Sequence, residues 1–161
     1  MFDSVEQSTG NVIIFFQSSF EARRYFNKLE KAFDVPVFLD DVGVSSQEVR
    51  EDFFRIGEGG GKAVLVSYLW GTLSEGVDYR DGRGRTVIIV GVGYPALNDR
   101  MNAVESAYDH VFEYGAGWDY AIQIPTIRKI RQARGWVVRS PDDYGVRILL
   151  DGRFLTDSKK R

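Results

Sequence analysis

"NVIIFFQSSFEARRYFNKLEKAF", residues 11–33, changes its rule halfway. Residues 11–16 are apolar without a break and rich in β-branched and aromatic side chains, the pattern of a strand buried on both faces. From residue 17 the pattern becomes mixed, and Phe20, Tyr25, Leu29 and Phe33 recur at helical spacing. Ser18 or Ser19 is the expected N-cap, since a hydroxyl there can accept from an otherwise unpaired backbone N–H. A doubly buried strand that runs straight into an amphipathic helix is how a parallel α/β layer begins, because a parallel strand pair needs a crossover between its members.

The alternation then repeats. "VPVFLD" (35–40) reads as a short strand, and "SSQEVREDFFRIGEGGG" as a helix capped by Ser45 or Ser46 and stopped at the glycines 59–61, a surface turn. "AVLVSYL" (63–69) and "RTVIIVGVGY" (85–94) are a third and a fourth buried strand, the latter ended by Pro95, and "YGVRILLD" (144–151) is the last. Residues 98–138 between them read as helices broken near 115–117 and at Pro125. The expectation is an α/β fold, a mainly parallel sheet with helices on both faces, forming one domain over residues 1–161. The first ten residues read as a polar lead-in and "TDSKKR" as a solvated basic tail, as though the chain had been cut from a longer one.

Composition removes several classes of function. Lys and Arg number 21 against 23 Asp and Glu, so there is no bulk electrostatic footprint for nucleic acid and a polyanion must be met by a local patch. The chain has no cysteine and one histidine, which excludes disulfides, thiolate metal sites and iron–sulfur ligation from within it. His110 has no partner at ligand spacing and reads as an ordinary helix residue. No apolar run approaches the ~20 residues that span a bilayer, and no signal peptide opens the chain, so an intracellular protein without a membrane partner is expected.

Ligands of open α/β sheets bind beyond the carboxyl ends of the strands, which directs attention to "QSS", "WGTLSEGVDY" and "GYPALND". "GTLSEGVDY" (71–79) combines two glycines, two aliphatic hydroxyls and two carboxylates, a set suited to a phosphate or ribose or, more simply, to a polar connection. "IRKIRQARGWVVR" (127–139) reads as a helix with cations at 128, 129, 131, 134 and 139 and packing positions among Ile127, Ile130, Val137 and Val138. Its charges face either phosphates or water. No G-x-x-x-x-G-K-[ST] occurs, so the chain has no complete phosphate-cradling loop.

Taken in order, "NVIIFFQSSFEARRYF", "VLVSYLWGTLSEGVDY", "VIIVGVGYPALND" and "IRQARGWVVRSPDDYGVRILLDGRF" resemble the motifs of the second helicase domain of the XPD/DinG family of superfamily 2 DNA helicases, over about residues 9–155. The resemblance rests most firmly on S-E-G-[IV]-D-[FY] at Ser74–Tyr79 and on Q-x-x-G-R-x-x-R, D-Y-G and D-x-R-F near the end. It implies a RecA-like fold, the C-terminal motor domain carrying helicase motifs IV to VI. This is one half of an ATP-dependent 5′→3′ DNA helicase of the repair and transcription-factor type, nucleotide excision repair included, and inactive alone.

Carried over by position, Gln132 and Arg139 match the final motif, whose second arginine is a finger toward the γ-phosphoryl group. Glu75, Gly76 and Asp78 match the nucleotide-sensing motif. Ser18, Ser19, Gly71 and Thr72 are expected to face DNA phosphates, and Trp70 either stacks on a base or anchors its loop. Gly93 replaces a proline, and Tyr94 reads as structural. The implied partners are a first motor domain in cis, single-stranded DNA, and a regulator in a repair or transcription complex. ATP and Mg²⁺ would be shared with that first domain, which also carries an iron–sulfur cluster in many relatives. Location would be cytoplasmic in a prokaryote or archaeon and nuclear in a eukaryote.

One position departs from the pattern. Trp136 stands where the first arginine of the final motif belongs, and an indole cannot replace a planar five-donor cation. On a continuous helix Arg134 would point about 200° away from it. A weakened or inactive motor is the expectation, whether Trp136 is a variant made in the motif or natural divergence. A protein-docking module, a weak single-strand-binding module and a degenerate structural domain are the alternatives.

Overall fold

A computed structural model describes residues 1–74, 76–112, 115–138, 141 and 143–156. Five strands form one sheet: β1 (Val12–Phe16), β2 (Val37–Leu39), β3 (Val64–Tyr68), β4 (Thr86–Val90) and β5 (Val146–Leu150). Their order is β2-β3-β1-β4-β5, and every pairing is parallel. The helices are α1 (Phe2–Gln7), α2 (Ser19–Ala32), α3 (Ser46–Glu58), α4 (Asp99–Val111), α5 (Ala116–Trp118), α6 (Ile124–Arg134) and α7 (Arg153–Thr156).

The central position of β1 explains its unbroken apolar sequence. Ile13 and Phe15 face a core layer built with Val49 and Phe53 of α3 and Ile130 and Ala133 of α6. Val12, Ile14 and Phe16 face the opposite layer, with Val5 of α1 and Ala22 and Leu29 of α2. The period-two alternation of a strand thus feeds two cores, each large side chain contributing about 1.5–3 kcal/mol on burial. Ser18 caps α2 and Ser45 caps α3, each accepting a backbone N–H three residues on at 3.3 Å.

Several expectations need correction. Residues 2–7 are a helix, because Val5 is buried and Lys62 Nζ donates to the terminal carbonyls of Val5 and Glu6 at 2.6 and 3.0 Å. Phe20 is 74% exposed and does not pack, whereas Tyr25, Leu29 and Phe33 do, together with Ala22. Pro125 breaks nothing: it directly follows a π-helical turn, with helical backbone on both sides of it. A π-helical turn, Asp119–Gln123, joins α5 to α6 without interruption. Ile127 is exposed while Lys129 is buried, the reverse of their expected roles.

The largest revision concerns the final motif. Helix α6 stops at Arg134 with Gly135 as its C-cap, so Trp136 lies in the turn beyond and the helical-rotation argument about Arg134 does not apply. Trp136 is 1% exposed and stands among the largest fully buried side chains. Its ring meets Phe15 edge-on at 5.1 Å and Tyr79 at 5.8 Å between centroids.

Candidate nucleotide cleft and strand-end loops

Because all strands run one way, the loops after β1, β2, β3 and β4 gather along one edge. The loop after β3 is held there by Asp40, a buried carboxylate just past β2. Asp40 Oδ2 accepts from Ser67 Oγ at 2.7 Å and from the backbone N–H of Leu73 at 2.9 Å, and Oδ1 accepts from Ser46 Oγ at 3.3 Å. Ser74 Oγ lies 2.6 Å from Gly71 O and 2.8 Å from Leu69 O, and Tyr79 donates its hydroxyl to Leu73 O at 2.8 Å. Burial pushes the Tyr79 phenol well above its ordinary pKa and keeps it a donor. Sequence reading passed over Asp40; its only signal was a carboxylate directly after a buried strand. Asp40→Ala should lower unfolding free energy by about 1–3 kcal/mol in urea denaturation, because it strands the Leu73 N–H and the Ser67 hydroxyl.

Gly71 has a packing role. A Cβ there would lie 2.8 Å from both Asp40 Oδ2 and Ser67 Oγ, and the Gly71 N–H already donates to Tyr68 O at 2.8 Å. Its N–H is thus engaged within the turn, where the expectation had it facing a DNA phosphate. Ser18, Ser19 and Thr72 do lie at the ends of adjacent strands, β1 and β3, with Ser18 and Thr72 exposed and Ser19 half-buried. The Ser18 hydroxyl oxygen is engaged in capping α2. Trp70 reaches across the end of β1 and donates its indole N–H to Gly93 O at 2.8 Å, while Lys129 Nζ sits 5.5 Å from its ring centroid. The anchoring role is thus in place, and 37% of the residue remains exposed. Gly93 has φ +63°, which proline cannot adopt, so the backbone here differs from that of a proline-bearing loop. Tyr94 packs on Trp118 at 5.5 Å.

A second group of candidates meets over the sheet face covered by α3 and α6. Gly76, Val77, Asp78, Arg80, Gln132 and Trp136 line a cleft of about 320 Å³. Gly76 has φ +65°, where a side chain would be strained. Gln132 is exposed near the end of α6, and Asp78 pairs with Arg80 at 3.2 Å. Glu75 and Arg139 lie outside the described residues. A larger cleft of about 540 Å³ lies along α6, with Arg131, Arg134 and Arg153 around Val92, Ile130 and Phe154. It contains none of the residues matched to nucleotide motifs, so the smaller cleft is the better nucleotide candidate. His110 is exposed on α4.

The remaining motif residues make tertiary and local contacts near β5. Asp143 accepts from Arg85 at 2.8 Å, and that guanidinium lies 4.1 Å from the Tyr144 ring centroid, which fastens the approach to β5 against β4. Asp151 takes two hydrogen bonds from the Arg153 guanidinium at 2.9 and 2.6 Å, and these hold its carboxyl down at about 2. In D-Y-G and D-x-R-F, Asp143, Tyr144, Asp151 and Arg153 thus make contacts within the domain.

The helicase C-terminal domain family profile matches residues 1–161. The curated relatives include regulator of telomere elongation helicase 1 homologs from Aedes aegypti, 31% identical over 78% of this chain, and Drosophila willistoni, 30% identical over 77%. The chain spans 13% of the length of each. Among solved structures, an XPD helicase superposes with TM-score 0.73 at 21% identity, covering 97% of this chain and 27% of that one. An apo XPD structure also gives 0.73, covering 98% of this chain and 32% of that one. With its parallel sheet, its strand-end loops and its full-length profile match, the chain belongs to the helicase C-terminal domain family and has the RecA-like α/β fold of an XPD helicase domain.

Proposed function

We propose that this domain is the second motor half of an ATP-driven, 5′→3′ DNA helicase acting in repair or transcription assemblies. The observation that carries the reading is the convergence of Gly76 and Asp78 with Gln132, distant from them in sequence, on one cleft. In this reading Gln132 hydrogen-bonds the nucleotide, Glu75, Gly76 and Asp78 sense it, and Arg139 offsets charge developing on the γ-phosphoryl group. The chain's donors suit a phosphate: an amide, a guanidinium and the backbone at a glycine. Mg²⁺ would be carried on the phosphates and by the first motor domain, where it neutralises charge; that domain would also hold any iron–sulfur cluster.

DNA would run along the strand-end edge, past Ser18, Ser19 and Thr72, with the exposed part of Trp70 offered to a base. Alone, the domain should neither hydrolyse ATP nor unwind DNA. In the intact helicase, Gln132→Ala should lower DNA-stimulated ATPase by about 10²-fold, and an unchanged rate would remove the nucleotide role from this cleft. Binding of a labelled single strand to the domain should weaken with salt, at about 0.7 log unit of affinity per log unit of salt for each phosphate contacted. Absent or salt-independent binding would favour a protein-docking module instead.

A further inference from the structure

We propose that Arg80 supplies the cation that the nucleotide cleft lacks at position 136. The inference rests on the nucleotide reading of that cleft and deepens it. Trp136 offers the cleft no charge: its indole is neutral, and it is packed into the core against Phe15 and Tyr79. Among the described residues lining the cleft, Arg80 is the one cation, and it lies on the same wall as Gly76 and Asp78.

The local chain sets Arg80 in place. Tyr79 is fully buried, anchored through its hydroxyl to Leu73 and packed on Trp136, so its neighbours Asp78 and Arg80 are turned outward on either side of it. Asp78 then fixes Arg80 twice: Oδ2 lies 3.2 Å from Nε, and Oδ1 accepts the Arg80 backbone N–H at 3.3 Å. A guanidinium has five N–H donors, so a contact through Nε leaves others to grip an anion. The side chain is 57% exposed and can turn into the cleft without disturbing the core. Asp78 is in this account a positioning residue, and the partner of Arg80 is a nucleotide phosphate, matched by the planar fork as a lysine would not match it.

The test is made in the intact helicase. Arg80→Ala should lower kcat for DNA-stimulated ATP hydrolysis by about 10²-fold and remove the preference for ATP over ADP in equilibrium binding, with an unchanged melting temperature. Arg80→Lys should recover only part of both. Gln132→Ala and Arg139→Ala are measured alongside. If those two lose activity and Arg80→Ala does not, Arg80 has no such role while the cleft keeps its assignment. If none of the three loses activity, the cleft is not the nucleotide site and the proposal falls with it. A loss of melting temperature and rate together, with ATP preference kept, would make Arg80 structural and overturn the proposal.

Discussion

Trp136→Arg, the substitution that restores the family's motif, should destabilise the domain rather than repair it. The indole fills the space between Phe15 and Tyr79, and truncating a buried aromatic of this size costs about 3–5 kcal/mol. An arginine can hold its head in the cleft only by leaving that space to its thin aliphatic stem, and a head left among the rings would be an unpaired buried charge. Trp136→Arg and Trp136→Ala should therefore lose similar stability in urea unfolding followed by circular dichroism, on the order of 3–5 kcal/mol. Domains of this kind have about 5–15 kcal/mol in total, so either variant should lose a large fraction of the stability. Trp136→Phe should lose less, by keeping a ring against Phe15. An arginine variant with an unchanged midpoint would show that the core does not depend on this residue.

The second large effect is expected at Arg139. In the intact helicase, Arg139→Ala should reduce DNA-stimulated ATPase by about 10³-fold or more, the scale on which arginine fingers act. ATP affinity should change far less, because the charge that a finger meets develops in the transition state. Arg139→Lys should not rescue, since an ammonium lacks the planar fork. Steady-state kcat and KM, with a melting curve to exclude unfolding, decide the matter. Retention of kcat would remove the finger from Arg139.

The scaffold was legible because burial leaves a periodic record. The unbroken apolar run of β1 announced a strand covered on both sides, and Ser18 and Ser45 announced the helix starts. Helix α1 was not legible, since its single buried residue, Val5, makes no pattern and its end is tied by Lys62 from far along the chain. The end of α6 has an ordinary stop signal in Gly135, but cations on both sides of it mask the stop in the charge pattern.

The candidate site was legible in kind more than in use. Gly76, Asp78 and Gln132 line one cleft, whereas a Cβ at Gly71 would crowd Asp40 and Ser67. Trp70 was readable only as an alternative, because its anchor, the Gly93 carbonyl, is set by strand order and not by sequence spacing. Arg80 escaped notice because it follows immediately after the recognisable S-E-G-V-D-Y.

The burial of Trp136 also gives the molecule an optical reporter. Of its three tryptophans, Trp70 is partly open to water and Trp118 is half-buried, whereas Trp136 is sealed on the core side and borders the cleft on the other. Its emission should be the most blue-shifted of the three and should move when a ligand or a second domain closes over Gln132. The proposed nucleotide docking can thus be tested by intrinsic fluorescence, with no dye attached.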